Sequence, residues 1–335
     1  HESFRETNLK KSRLKEDKRM SLKDAIAKYV EDGCIMADSG FSYVRTPIQA
    51  HFEILRQNKK NLQYIGSPNT LHSFAVFAGC CNWTHNSYCG AEMRGTDRQF
   101  SKGVKEGKTQ IISEWSHGSM ALGFKAAQYG SPYLAAHQLL GTDIVKYNPY
   151  VKEVKDPWSG QPVVLIPALH PDVCIIHCQQ ADIFGNGKIV GPAVNDIALA
   201  FASRKVIITC EEVVPELSIR FDNSNTVIPF MIVDAVVELP YGCLPGSCPG
   251  HYYWAREWWE WLMRIATKND VAMSDFMKNW IYDCPDQYAL VDRLAKDLGG
   301  FSYIDNLRRL EKAEEYLIED IGVDFTYETV IPKWE

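Results

Sequence analysis

The chain has 335 residues, enough for one large or two modest domains. Apolar residues make up 46% and charged residues 23%, a balance that excludes a disordered or fibrous chain. Lys plus Arg number 36 against 42 Asp plus Glu, a net charge of −6, so the clustered positive charge that nucleic-acid binding needs is not expected. No apolar run reaches the roughly 18 residues of a membrane span, and no signal peptide is recognisable, so no membrane partner is expected. Ten cysteines without a secretion signal predict reduced thiols and a cytoplasmic location.

Residues 1–19 carry seven Lys/Arg and four acidic residues with almost nothing apolar. They read as a charged arm, either solvated or docked as a helix on a partner. Ser21 with Asp24 three residues on makes an acidic capping box ahead of Ala25, Ile26, Tyr29 and Val30. A strand over Cys34–Asp38 follows, ending in the turn Ser39-Gly40-Phe41. The pattern repeats as a helix over Pro47–Gln57, a strand over Leu62–Ile65 and a helix over Phe74–Ala78. It continues with a strand over Thr109–Ile112 and a helix over Ser119–Tyr129, stopped by Gly130-Ser131-Pro132. Val163–Ile166, Val173–His177, Val206–Cys210 and Met231–Val236 have strand length and β-branched content. Alternating short strands and helices predict an α/β fold: a mostly parallel open sheet covered by helices on both faces, over residues 20–250. Residues 251–335 read as a Trp-rich helical C-terminal extension. Its aromatic stripe, Trp254 to Trp261, suits a core or a contact between subunits.

Ligands of open α/β sheets bind outside the carboxyl ends of the strands. Four turns fall there: Ser39–Phe41, Ser67–Thr70, Glu114–Gly118 and Asp182–Gly187. None is a Walker loop or a Gly-x-Gly-x-x-Gly motif, so nucleotide phosphate binding by those devices is not supported. Gly185-Asn186-Gly187 reads as a structural turn. His117, just past a strand and opening a helix, is the most suggestive residue. It suits an oxyanion donor or a general base, with a structurally satisfied histidine as the competing reading. Ser67, Asn69, Thr70, Ser87 and Tyr88 offer hydroxyl, amide and backbone donors for an acyl-group pocket, and are also ordinary turn formers. Glu211 and Glu212 point to opposite faces of a strand and read as structural or interfacial. His177 reads as a core histidine. Cys243 and Cys248 have no partner pair at zinc spacing, so the cysteines read as small buried hydrophobes and no metal is expected.

Taken in order, these segments resemble the family I coenzyme A transferases, of the α-subunit type of glutaconate CoA-transferase. The resemblance rests on Ser21 to Val30, the Gly40-Phe41 turn, Arg45-Thr-Pro47 and Ser87-Tyr-Cys-Gly90. Further along it rests on Glu114-Trp-Ser-His-Gly118, Ala181-Asp182 with Gly185-Asn186, Thr209-Cys-Glu-Glu212, and Pro240-Tyr-Gly242. It implies coenzyme A as a substrate rather than a resident cofactor, with no other cofactor. CoA would move between an acyl-CoA and a carboxylic acid, with substrate contacts at Gly40, Phe41 and Arg45. In that family a glutamate of the β subunit, in a Glu-x-Gly-apolar-x-Gly context, attacks the thioester. This chain lacks the motif, since Glu31-Asp-Gly33 precedes the first strand, so a β partner is expected. The Trp-rich tail and charged arm point the same way. Two departures stand out: Ser39 replaces the first glycine of a Gly-Gly-Phe turn, and His117 stands where transferases carry Gln. Relatives that hydrolyse or cleave CoA esters share the architecture. The alternative is therefore the α subunit of a hydrolase or lyase whose substrate is a β-keto or dicarboxylic acyl-CoA. A noncatalytic scaffold is the third reading.

Overall fold

In the computed structural model, which describes residues 1–66, 71–90 and 96–312, a nine-stranded sheet carries the molecule. The end of the expected C-terminal extension, 313–335, lies outside the described residues. The first strands are β1 (Ile35–Asp38), β2 (Leu62–Gly66), β3 (Cys81–Asn86) and β4 (Gln110–Glu114). Next come β5 (Tyr133–Ala136), β6 (Lys152–Lys155) and β7 (Pro162–Pro167), which form a separate three-stranded antiparallel sheet. The main sheet resumes with β8 (Val173–Ala181), β9 (Gly187–Lys188), β10 (Lys205–Val213), β11 (Thr226–Ile228) and β12 (Ala235–Glu238). Its parallel part runs β4-β3-β2-β1-β8-β10-β12. The chain starts in the middle, builds outward to β4, then returns to β8 and builds the other way. The switch point therefore lies between β1 and β8. β9 joins β8 antiparallel at Gln180 and Ala181, beyond the Asp38–Ile175 pair where β1 stops, and β11 pairs with β9.

Side chains alternate between two cores, one on each sheet face. Ile175 and Ile207 face one, while Cys174, Ile176, Val206 and Ile208 face the other. The first core receives the helices Leu22–Tyr29, Ile48–Arg56 and His72–Phe77. The second receives His117–Gln128 and Asp196–Ala202. Ser21 caps this helix, its hydroxyl oxygen accepting from the Asp24 N–H at 3.1 Å, but the expected box is replaced by a side-chain pair in which the Ser21 O–H donates to the Asp24 carboxylate at 2.7 Å.

Several sequence expectations are corrected. β3 has no counterpart among the expected strands, although Trp83 and Thr84 are good strand formers. Val163–Ile166 is a strand of the small antiparallel sheet, not of the main one. Met231 lies in a short 3₁₀ turn, and the strand there begins only at Ala235. The tryptophan stripe is mainly core: Trp258 and Trp259 are wholly buried, against Phe52, Phe74, Phe276 and Tyr43, and Trp254 and Trp261 are half-buried against the same core. Residues 1–19 dock on this chain. Phe4 stacks on His170 at 4.1 Å, Lys11 pairs with Asp234 at 3.0 Å, and the Lys18 N–H donates to the Ile183 carbonyl. Neither the aromatic tail nor the arm therefore argues for a partner chain.

Candidate active site

The turns after β1, β3 and β4 meet outside the carboxyl edge of the sheet. After β1, Gly40 adopts φ 87°, and a Cβ there would stand 2.5 Å from the Val44 carbonyl oxygen. Only glycine fits that bend. The Phe41 and Val44 backbones exchange hydrogen bonds, which closes the turn and leaves the Phe41 ring exposed. After β4, Ser116 caps the helix His117–Gln128 in a reciprocal box with Ser119, fixing the direction in which His117 leaves the helix. The buried Asn148 amide donates to the Glu114 carbonyl at 2.7 Å and pins the same turn from below.

These devices bring Phe41, Ser87, Tyr88 and His117 together. His117 Nδ1 lies 2.8 Å from the Ser87 hydroxyl. Its ring sits edge-on to Phe41 at 6.0 Å and to Tyr88 at 6.1 Å. His117 is exposed at the mouth of the crevice. The hydroxyl decides the tautomer. If Ser87 O–H donates to Nδ1, Nε2 carries the proton and is a hydrogen-bond donor; if Nδ1–H donates to Ser87, Nε2 is a base. Ser67, Asn69 and Thr70 lie outside the described residues.

Arg45 does not reach this crevice. It is fully buried, with Nη1 and Nη2 donating to Asp196 at 3.0 and 2.9 Å and further bonds to the carbonyls of His177 and Pro192. Burial pulls the Arg45 pKa down, but Asp196 outweighs it and holds the guanidinium above its ordinary value. Asp196 also accepts from the Gly40 N–H at 3.3 Å, so this ion pair holds the Gly40 turn from beneath. The expected substrate contact at Arg45 is thus replaced by a positioning role, because its bonded donors all face the interior. Sequence reasoning misses Asp196, although an acid in the first turn of a helix is a visible signal.

Elsewhere the reading of turns holds. Asp182 is wholly buried, and its Oδ1 accepts from the N–H groups of Phe184, Gly185 and Asn186. That makes Asp182–Gly187 a structural Asx turn. Glu211 and Glu212 face opposite ways: Glu211 is buried against His177 and Tyr252, and Glu212 lies on the exposed side. Glu31–Gly33 sits before β1, at the edge of the sheet opposite the crevice. Cys243 and Cys248 are not isolated hydrophobes, since they share a buried pocket with His177.

Residues 19–239 match the family model of coenzyme A transferase. The A subunit of glutaconate CoA-transferase from Acidaminococcus fermentans is 32% identical over 293 residues, covering 82% of this chain and 91% of the relative. The crystal structure of glutaconate coenzyme A-transferase from that organism superposes with a TM-score of 0.81 at 30% identity, covering 87% of this chain and 95% of that one. The A subunit of 3-oxoadipate CoA-transferase from Pseudomonas knackmussii is 30% identical, over 70% of this chain and 83% of the relative. A cholesterol ring-cleaving hydrolase subunit of Rhodococcus jostii is 26% identical, over 84% of this chain and 98% of the relative. No helix among the described residues is long and apolar enough to cross a membrane. With a strand-end crevice built on a parallel sheet and relatives that match along most of their length, the chain belongs to the coenzyme A transferase family and is of its α-subunit type.

Proposed function

We propose that this chain is the α subunit of a heteromeric, cytoplasmic CoA-transferase that moves CoA between an acyl-CoA and a carboxylic acid, with the nucleophilic glutamate supplied by a β subunit. One observation carries the reading: the crevice at the carboxyl edge of the sheet gathers a histidine, a serine hydroxyl and two aromatic rings, while the Glu-x-Gly-apolar-x-Gly motif is absent from the sequence. Such a half-site can hold and polarise a thioester but lacks the family's nucleophile. The cytoplasmic placement is supported by the cysteine content, ten in the sequence with none in a disulfide among the described residues.

In this reading Ser87 donates to His117 Nδ1, so Nε2–H faces the thioester carbonyl and donates to the oxyanion formed when the glutamate attacks. Tyr88 and Phe41 flank the imidazole and keep its plane fixed. Ser87 and Tyr88 contribute to the acyl-group pocket. The hydrolase reading has its own support in the ring-cleaving relative and in the opposite tautomer, where Nε2 accepts a proton from water.

The test is reconstitution. The chain alone, and the chain co-expressed with a β-type subunit carrying the Glu-x-Gly motif, are assayed for CoA transfer and for CoA release. Activity only in the complex, as transfer, supports the proposal; robust transfer by the isolated chain refutes it.

A further inference from the structure

Cys243 and Cys248 lie in the loop that follows β12, and His177 lies in the middle of β8. The fold brings them together: one ligand atom from each stands within 4.8 Å of the other two, and all three residues are wholly buried. We propose that His177, Cys243 and Cys248 form a binding site for one thiophilic metal ion, with Zn²⁺ as its expected occupant. Two thiolates and one imidazole are a donor set that selects such ions over hard cations.

The surroundings are built for ligands. Glu211 Oε1 lies 3.0 Å from His177 Nε2, and the Glu211 carboxylate also accepts from the Tyr252 hydroxyl and from the Tyr241 N–H at 2.8 Å. A carboxylate on Nε2 fixes the ring and raises its basicity, which leaves Nδ1, 2.9 Å from the Thr209 hydroxyl here, as the atom that would exchange this bond for the ion. The same Tyr252 hydroxyl accepts from the Cys243 N–H at 3.1 Å, and the Cys248 N–H donates to the Tyr252 carbonyl at 2.9 Å, so both cysteines are anchored by backbone. Gly242 lets the loop come close: a Cβ there would stand 2.6 Å from His177 Cε1 and 2.9 Å from Nδ1. A dication would neutralise two thiolates, and the buried Glu211 carboxylate keeps three donors of its own, the His177 ring, the Tyr252 hydroxyl and the Tyr241 N–H.

The ion would staple the Cys243–Cys248 loop to β8. Ser247 of that loop exchanges backbone hydrogen bonds with Tyr43 and Arg45, the residues that follow the Gly40 turn. The site thus braces the crevice from behind without touching it.

The test uses the full chain, expressed with added Zn²⁺ and purified without chelator, with metal content read by inductively coupled plasma mass spectrometry. Three proteins are compared: wild type, the Cys243→Ser/Cys248→Ser double variant, and Cys80→Ser as a buried-cysteine control. About one equivalent of metal is expected in wild type and in Cys80→Ser, and almost none in the double variant. Because the double variant can fail to fold, a second measurement uses wild type alone. Exchange with Co²⁺ should produce a thiolate-to-cobalt charge-transfer band, and unfolding in a chromophoric chelator should release the metal stoichiometrically. Wild type holding less than about a tenth of an equivalent, metal retained by a folded double variant, or a Cys243–Cys248 disulfide in the intact mass spectrum overturns the proposal.

Discussion

Asp196→Ala removes the acceptor for three donors at once: both terminal nitrogens of Arg45 and the Gly40 N–H. Arg45 is left as a buried, unneutralised cation, since its side chain is 1% exposed and that of Asp196 0%. Breaking such a pair from one side costs about 3–5 kcal/mol. A chain of 335 residues has an unfolding entropy near 0.7 kcal/mol/K at about 2.1 cal/mol/K per residue, so a loss of about 4 kcal/mol lowers Tm by about 6 °C. The Gly40 turn loses its anchor too, so KM for acyl-CoA should rise in the reconstituted enzyme. Replacing both partners, as Arg45→Met/Asp196→Leu, removes the bare charge and should recover more than half of the lost stability. The assay is thermal unfolding followed by circular dichroism, with transfer kinetics on the proteins that fold. If Asp196→Ala melts within about 1 °C of wild type, the ion pair does not hold the turn as argued. If the double variant folds normally but its KM rises more than about tenfold, more than about 1.4 kcal/mol of binding, Arg45 does meet substrate.

His117→Gln keeps a donor and should preserve CoA transfer, whereas His117→Ala should lower it about 10²–10³-fold; loss of both transfer and CoA release in His117→Gln would instead mark proton transfer by the imidazole. Trp258→Ala opens a cavity among Phe52, Phe74 and Phe276 and should cost about 3–5 kcal/mol in denaturant titration, while assembly with the β subunit stays intact in sedimentation. Asp97, the cap that accepts from the Phe100 N–H at 2.9 Å, has its pKa raised to about 6 by burial. A raised carboxylate pKa means the fold favours the protonated form, so this group's stabilisation is full below about 3.8 and lost as pH climbs to about 6. Asp97→Asn keeps the cap and should stabilise the protein above pH 6 by up to about 3 kcal/mol, with the gain vanishing near pH 4; equal stability curves for variant and wild type across that window would contradict the assignment.

The alternation of apolar runs makes β1, β2, β8 and β10 legible, because strands buried on both faces read as continuous Val, Ile and Cys. β3 escapes because Cys81 to Asn86 carries polar residues that face a crowded interior: Thr84, His85 and Asn86 are all buried. His117 can be picked out because strand end, glycine and helix start coincide within a few residues. Arg45 cannot be judged, since its partner Asp196 lies on a helix far along the chain, and only the closed sheet shows that the guanidinium faces inward. The His177 pocket is hidden for the same reason. Register places Thr209 opposite His177, and the two-residue period then puts Glu211 on the same face, but the cysteines arrive through a loop whose path no spacing rule gives.

The distribution of the nine tryptophans has a spectroscopic consequence. Trp258 and Trp259 are sealed in the first core, whereas Trp158, at the tip between β6 and β7, is 91% exposed. A neutral or ionic quencher should therefore extinguish a red-shifted fraction of the emission and leave a blue-shifted fraction untouched. Loss of that protected fraction marks opening of the helical face that covers the sheet, and it can be watched in the native chain without any label.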